Sequence, residues 1–339
     1  MIRSGILSCI GKTPIVRLSK MFGHTPVEVL AKLEMLNPGG SIKDRPARYI
    51  VEQGLMDGTI NSSTHLVESS SGNLAIALAM VCKQYQLKFT CVVDPKISKT
   101  NLKIIQCYGA NIEMVSEVDS NGGYLETRIR HVQSILQKNP GTLWINQYGN
   151  PRNWQSHYYG EAEEILQQIP EPLDALVVGA STSGTLLGIA RRLKQRWPHL
   201  RVIAVDAVGS VLFGTPAAPR ELPGIGASRV PELLRPEEVD QVIHIDDYES
   251  AMACRKLLTE EGIFAGGSSG SALAAIEKLL QEPHSPRRIL TLFPDRGDRY
   301  LDLVYDDHWL TRAKQRHCTA QAIPLPSVPP VDATHYEVA

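Results

Sequence analysis

One lysine in the sequence stands where a reactive amine is expected. Residues 37–45 read NPGGSIKDR, so a proline and two glycines interrupt regular secondary structure just before Lys43. Ser41 is a favoured N-cap residue, which predicts that a helix begins there and that Lys43 lies in its first turn. The positive end of a helix disfavours an ammonium, so this position favours the neutral amine that a Schiff-base lysine needs. The pattern also fits a solvated lysine beside Asp44 and Arg45.

Three hydroxyl-rich turns stand before helical segments and can present donors to an anion. Residues 68–73 (ESSSGN), 179–185 (GASTSGT) and 265–270 (AGGSSG) each open a predicted helix, where free backbone N–H groups are available. Asn73 adds a side-chain donor for an oxyanion. Residues 179–185 contain neither the GK[ST] of a P-loop nor a GxGxxG, so they predict a site for a single phosphate group. Each turn alone also fits an ordinary capped helix.

Composition excludes several classes of function. The 339 residues have a formal charge of -1, which predicts neither a nucleic acid partner nor an anionic membrane. The longest apolar run, 74–82, is too short to span a bilayer, and we expect no secretory signal at the start. The six cysteines form no CxxC pair and the ten histidines no HExxH pattern, so no metal is expected. The chain is predicted to be reduced and cytoplasmic.

The elements that position these turns alternate between strands and helices. Short apolar runs predict strands, and longer stretches between them predict helices, which together indicate an α/β fold with mostly parallel sheets flanked by helices. The predicted strands are 89–93, 111–115, 175–178, 202–205 and 289–293. The predicted helices are 98–108, 184–195, 248–260 and 270–281. Four prolines follow residue 323, and we expect 313–339 to be a disordered, non-catalytic tail.

Taken in order, these pieces resemble the fold-type II pyridoxal 5′-phosphate (PLP) family of cysteine synthase and cystathionine β-synthase, whose fold is like that of the tryptophan synthase β-subunit. The resemblance covers about residues 5–312. Its motifs are GKTP at 11–14, the Lys43 segment, SSGN at 70–73, NQY at 146–148, the 181–185 loop, GIGA at 224–227 and DRGDRY at 295–300. It implies a homodimer of two-domain subunits, with a large domain of 1–38 plus 150–312 and a small mobile domain of 39–149.

The resemblance also assigns roles to residues. Lys43 would form the Schiff base with PLP and later move the Cα proton, while Asn73 would bind the 3′-oxygen. Ser268 would face the pyridine nitrogen, and its hydroxyl, unlike a carboxylate, favours loss of a β-substituent over transamination. The cofactor phosphate would be held by Ser181, Thr182, Ser183, Gly184 and Thr185. The substrate α-carboxylate would be bound by Ser70, Ser71, Gly72 and Gln147.

One branch of this family matches over longer stretches. Those stretches are 37–48, 91–98, 122–125, 144–148, 221–231 and 295–305. That branch joins O-phospho-L-serine to L-glutamate, releases phosphate and gives N-(2-amino-2-carboxyethyl)-L-glutamate, for 2,3-diaminopropionate and siderophore (staphyloferrin B type) biosynthesis. The sequence departs from common cysteine synthases, whose phosphate loop is usually GTGGT, by having Ser181 and Ser183 in place of glycines.

Two anionic substrates require cationic and hydroxyl groups in the cleft. Arg128, together with the hydroxyls of Tyr148 and Ser181, is expected to supply them, although Arg128 also fits a solvated helix face beside Arg130. Three alternatives stay open at this point. They are a cysteine synthase using O-acetylserine or O-phosphoserine with sulfide, a serine dehydratase that releases pyruvate, and a catalytically silent scaffold that binds a partner.

Overall fold

The computed structural model describes residues 2–119 and 122–322. Its strands are β1 Ile15–Arg17, β2 Glu28–Lys32, β3 His65–Ser69, β4 Lys88–Val93, β5 Asn111–Met114, β6 Thr142–Trp144, β7 Ala175–Gly179, β8 Arg201–Ala207, β9 Gln241–Ile245 and β10 Arg288–Leu292. Its α-helices are α1 Ser19–Phe22, α2 Asp44–Asp57, α3 Asn73–Tyr85, α4 Lys99–Cys107, α5 Leu125–Lys138, α6 Pro151–Ser156, α7 Ala162–Gln168, α8 Gly184–Arg196, α9 Asp247–Glu261, α10 Gly267–Leu279 and α11 Asp307–Ala322. A π-helical turn, His157–Glu161, joins α6 to α7.

The larger sheet has six strands in the order β1-β2-β10-β7-β8-β9. Only β1 runs antiparallel within it, to β2, and the other neighbours are parallel. Successive residues of β7 enter different cores: Ala175 and Val177 lie in one apolar cluster, and Leu176 and Val178 in another. Because side chains alternate across a strand, both faces of this sheet are covered, as parallel sheets require.

The smaller sheet has four parallel strands in the order β5-β4-β3-β6. Helices α2 and α3 contribute Ala47, Ile50 and most of the apolar run 74–82 to the core on one face. Val132 and Ile135 of α5 cover Val67 and Val92 on the other face. The mostly parallel α/β architecture expected from the sequence is therefore confirmed. The division into a large and a small mobile domain stays a prediction, although the strands of the two sheets come from separate parts of the chain.

The predicted elements are present with small shifts at their ends. The helix predicted over 270–281 begins three residues earlier, at Gly267, so Ser268 lies inside its first turn. The disordered tail predicted over 313–339 is wrong in its first part, because α11 continues to Ala322. The helix packs on the rest of the protein through the buried side chains of Trp309 and Ala313. The first proline after the start of this helix, which could end it, is Pro324. Residues 323–339 lie outside the described residues. Within the described ranges, no helix has the length and apolar content to cross a bilayer.

Candidate active site

Lys43 lies just ahead of α2 rather than inside its first turn. The helix begins at Asp44, with Lys43 in the N-cap position. The chain before it is held by tighter i→i+3 bonds, from the N–H of Asp44 to the carbonyl of Ser41 (3.2 Å) and from that of Arg45 to Ile42 (3.2 Å). The Ser41 hydroxyl accepts from the N–H of Lys43 at 3.3 Å. The predicted helix start at Ser41 is thus two residues too early.

The amine of Lys43 is made less basic mainly by burial. Burial lowers its pKa from the ordinary value of 10.5 to about 8, and the nearby Glu161 and Asp295 carboxyls act in the opposite direction. An ammonium is disfavoured where water is excluded, so about a tenth of this side chain is neutral at pH 7 and about half at pH 8. That is the state a nucleophile or a general base requires.

Asp295 joins three segments that are far apart in sequence. Its backbone forms a β-bridge with Ser41, and its carbonyl accepts from the N–H of Gly266 at 3.0 Å. Its carboxylate accepts from the Asn73 amide at 2.6 Å. The lysine turn, the start of α3 and the start of α10, which carries the buried Ser268, are therefore brought together around one residue.

The side-chain amide of Asn73 is held in one orientation. Arg299 donates to its Oδ1 and, through another nitrogen, to the carbonyl of Gly39 (2.6 Å). Asp295 accepts from its Nδ2, which carries two N–H groups. The amide therefore presents donors, rather than its carbonyl, to the same region as Asp295. This orientation is the one needed to donate to an oxyanion.

The loop from Ser181 to Thr185 stands at the N-terminus of α8 and is held by its own contacts. The Ser181 hydroxyl donates to the carbonyl of Gly226 (3.0 Å), and Thr182 Oγ1 accepts from Asn153 (3.1 Å). Ser183 has a φ of 67°, in the left-handed region that a serine adopts only at a cost. Its hydroxyl is buried and has no hydrogen-bond partner within the described residues. A buried donor of this kind, beside the free N–H groups of a helix start, calls for an anion.

A buried pair of titratable side chains lies between this loop and Lys43. His157 meets Glu161 at 2.6 Å and Thr185 at 3.2 Å on its other ring nitrogen. Burial lowers the pKa of His157, with the Lys43 and Arg45 charges acting in the same direction, and burial raises the pKa of Glu161. Burial thus favours the uncharged form of each group, and His157 links Glu161 to Thr185.

The loop at residues 70–73 has charged neighbours. Arg128, in the first turns of α5, donates to the Ser71 hydroxyl at 2.8 Å and lies 3.2 Å from the Asp94 carboxylate. Its side chain is only 13% exposed, whereas Arg130 is exposed, so Arg128 is not a solvated helix-face charge. The space beside Gly72 is open, because a Cβ built there would meet nothing within 4 Å.

Glu68, just before this loop in the sequence, links the loop to Gln147 and its neighbour Tyr148. The buried Glu68 carboxyl accepts from the N–H of Gln147 (3.3 Å) and from the Trp144 indole (3.4 Å). Burial raises the pKa of Glu68 to about 7, partly offset by these bonds and by Arg128. The carbonyl of Gln147 accepts from Asn153 (2.7 Å), which also contacts the phosphate-loop threonine. The two hydroxyl-rich loops are thus neighbours.

The structure brings the predicted site residues into one region, although their roles stay predictions. Sequence reasoning gave no role to Asp295, His157, Glu161 or Glu68. Asp295 belongs to a quoted motif, and the i, i+4 spacing of His157 and Glu161 on one helical turn was readable. Neither pattern alone indicates a long-range contact.

Comparisons with known proteins agree with this geometry. A family model described as "pyridoxal-phosphate dependent enzyme" matches residues 6–295. The chain is 65% identical to the N-(2-amino-2-carboxyethyl)-L-glutamate synthase of Ralstonia nicotianae over 312 residues, 92% of each chain. It is 62% identical to the synthase of the same name from Cupriavidus metallidurans over 331 residues, 97% of each chain.

Solved structures share the fold. The O-acetylserine-dependent cystathionine β-synthase of Helicobacter pylori superposes with a TM-score of 0.82 and 34% identity, over 89% of this chain and 98% of that one. The cysteine synthase of Entamoeba histolytica gives a TM-score of 0.84 and 30% identity, over 93% and 96% of the two chains.

Proposed function

The chain belongs to the pyridoxal-phosphate dependent enzymes, and from this premise we propose that it joins O-phospho-L-serine to L-glutamate. The products would be N-(2-amino-2-carboxyethyl)-L-glutamate and phosphate. The observation that carries the proposal is the high identity, over nearly the whole chain, to two synthases named for that product. PLP is the cofactor of this transferase.

The residues present fit PLP. The group needs an amine that is neutral near physiological pH, and burial lowers the pKa of Lys43 to about 8. It needs an anion site for one phosphate, and the buried Ser183 hydroxyl without a partner, at the start of α8, supplies a donor. Both features belong to this chain's own geometry, independently of any relative.

Specific side chains would hold the cofactor. Lys43 would bond to it, Asn73 would donate to its 3′-oxygen, and the buried Ser268 would lie at its pyridine nitrogen. The phosphate would be bound by Ser181, Thr182, Ser183, Gly184 and Thr185. When bound, PLP supplies an electron sink that stabilises negative charge on the α-carbon of an amino acid.

Substrate binding falls to the other loop. Ser70, Ser71 and Gln147, with the open backbone at Gly72, would receive the α-carboxylate. Arg128, which donates to Ser71, would bind the phosphate of the first substrate, with Tyr148 and Ser181 adding hydroxyls. Charge-assisted bonds to a dianion favour phosphoserine over a neutral ester.

Proton transfer is the task of Lys43. Once the amine of the first substrate has displaced it from the cofactor, Lys43 would be a free neutral amine, able to take the Cα proton while the phosphate leaves from Cβ. The α-amine of glutamate then bonds to the same Cβ, and Lys43 returns the proton to Cα. Movement of the predicted small domain, residues 39–149, would exclude water that would otherwise release pyruvate.

Cysteine synthesis is the second candidate, because a cysteine synthase shares the fold. Arg128 disfavours it with O-acetylserine, since a neutral ester offers the guanidinium no charge in exchange for the Asp94 carboxylate. Sulfide also has no carboxylate or phosphate group to pair with the positive charge of the cleft.

Further parts of the proposal concern the cell. We place the enzyme in the cytoplasm as a homodimer that supplies 2,3-diaminopropionate for siderophore biosynthesis. The resemblance to the synthase branch supports the pathway and the dimer. The free thiols of the six cysteines, three of them exposed, are compatible with a reducing compartment.

Phosphate release measured under three conditions tests the function. With O-phospho-L-serine alone, the PLP-loaded enzyme should release about one phosphate per site, because the second half-reaction lacks its nucleophile. Added L-glutamate should give continuous release, and sulfide should give much slower release. Faster turnover with sulfide than with glutamate would favour the cysteine synthase, and continuous release without a second substrate would favour the dehydratase.

A further inference from the structure

A second arginine lies against the candidate substrate region and has no role in the mechanism above. Arg229 belongs to the segment between β8 and β9, and its guanidinium carbon is 5.0 Å from the centre of the Tyr148 ring. Tyr148 follows Gln147 directly, and its carbonyl accepts from the N–H of Leu233 (3.1 Å). Arg229 is therefore packed against the residue next to the proposed carboxylate site.

The guanidinium of Arg229 is hydrogen-bonded through one terminal nitrogen and not through its Nε. A terminal nitrogen lies 3.0 Å from both oxygens of Glu232, whose side chain is 56% exposed. Its Nε is buried and has no hydrogen-bond partner within the described residues. A charged donor left buried without an acceptor is costly, and a carboxylate is the acceptor that suits it best.

The segment that carries Arg229 is fixed relative to the phosphate loop. The N–H of Gly226 donates to the carbonyl of Ala180 (2.7 Å), and the carbonyl of Gly226 accepts from Ser181. Arg220 closes the same segment by donating to the carbonyl of Ile225 (3.4 Å) and to the Ser228 hydroxyl (3.1 Å). The position of Arg229 is thus set by contacts with the site itself.

Three arginines lie near enough to Tyr148 to affect its pKa, and they are not equivalent. Burial raises the pKa of the Tyr148 phenol, and the charges of Arg128, Arg229 and Arg220 lower it. Arg128 comes from α5, on the smaller sheet, and already donates to Ser71. Arg229 and Arg220 come from the larger sheet's connection and make no bond to the substrate loop in the contacts above. Arg128 and Arg229 thus offer two guanidinium groups from different elements of the fold.

We propose that Arg229 binds the side-chain carboxylate of the second substrate, with Arg220 adding positive charge beside it. This inference rests on the proposed function and names the residue that selects glutamate as the nucleophile. Arg128 takes the phosphate of the first substrate, and Arg229 takes the distal carboxylate of the second.

The test compares L-glutamate with L-glutamine, which has the same α-amine but an uncharged side-chain amide. Wild type should prefer glutamate in kcat/KM by at least about 10-fold. Arg229→Gln should lower kcat/KM for glutamate by about 10- to 100-fold, as expected for a lost charge-assisted bond. It should change kcat/KM for glutamine by less than about threefold, as an uncharged amide gains little from the guanidinium. Arg229→Lys should recover part of the loss, since it keeps the charge. Arg287→Gln, an exposed arginine in the 280–287 connection, controls for net charge.

The phosphate burst with O-phospho-L-serine alone separates the possible failures. The inference predicts an unchanged burst in Arg229→Gln. It is overturned if that variant keeps full kcat/KM for glutamate, if it loses the burst in equal measure, or if wild type does not discriminate glutamate from glutamine. If wild type shows the burst but forms no condensation product, the proposed function fails together with the inference.

Discussion

The two hydroxyl-rich loops of the site have similar sequences and different surroundings. The loop at 181–185 has neutral partners: a backbone carbonyl, Asn153 and the neutral His157. The loop at 70–73 has charged ones, Arg128 and Asp94, and it follows closely after the buried Glu68, whose pKa is raised to about 7 by burial. Both stand at the start of a helix that follows a parallel strand.

This difference teaches how one local motif serves two purposes. A group that stays bound needs a fixed set of neutral donors, because a rigid site loses little entropy on binding. A substrate that releases its phosphate during the reaction needs charged side chains that can pair with the phosphate and then with one another. We therefore expect changes in the first loop to affect PLP affinity and changes around the second to affect substrate kinetics.

The largest effect should come from Arg128. Arg128→Gln should lower kcat/KM for O-phospho-L-serine by about 100-fold. The variant removes the guanidinium and leaves the buried phosphate of the substrate without a positive partner. The dissociation constant of PLP should stay within about twofold. Arg130→Gln, an exposed arginine on the same helix, is the matched control. Equal losses of kcat/KM in Arg128→Gln and Arg130→Gln would show that Arg128 has no special part in substrate binding, and would contradict the distinction between the loops.

The pH dependence of PLP capture should follow Lys43 alone. The neutral amine bonds to PLP, and burial lowers the pKa of Lys43 to about 8. The rate at which apo-protein captures PLP should therefore rise about tenfold per pH unit below pH 8 and level off above it. Stopped-flow absorbance measures this rate. A midpoint near 10, or a midpoint that moves in Arg128→Gln, would contradict the assignment.

A smaller effect is expected in the phosphate loop. Ser183→Gly removes the unpartnered hydroxyl and also relieves the left-handed backbone, so folding should not suffer. PLP affinity should fall about 10-fold, with kcat at saturating PLP almost unchanged. Ser71→Ala should behave in the opposite way, keeping PLP affinity and raising KM for O-phospho-L-serine. Fluorescence titration with PLP distinguishes the two variants.

The smallest effect should come from Asp94, which competes for Arg128. Asp94→Asn removes a negative charge 3.2 Å from the guanidinium and should lower KM for O-phospho-L-serine by about threefold. PLP affinity should not change. A higher KM would mean that Asp94 acts mainly by holding Arg128 in position.

Local features of the fold could be predicted from the sequence. Buried apolar runs bounded by Gly, Pro or Asp identified strands such as β7 and β10 to within one or two residues, because both faces of a parallel sheet are apolar. The three hydroxyl-rich turns were found because donors at helix starts leave a clear pattern. The family resemblance then supplied the order and roles of these pieces.

Long-range contacts could not be predicted in the same way. Asn73 meets Asp295 across 222 residues, and Arg128 meets Ser71 across 57. No local pattern encodes such pairs, since they arise only when two sheets and their connections pack together. For the same reason, the lowered pKa of Lys43 was attributed to the helix terminus, whereas burial is its main cause in the structure.

Mass spectrometry of the product tests the central claim most directly. PLP-loaded enzyme should be mixed with O-phospho-L-serine and 15N-labelled L-glutamate, beside Lys43→Ala as the inactive control. We predict a condensation product that keeps the labelled nitrogen between the two carbon skeletons, formed with one phosphate per molecule and absent with Lys43→Ala. Pyruvate and phosphate without that product, with cysteine forming once sulfide is added, would contradict the claim and leave a PLP enzyme with another second substrate.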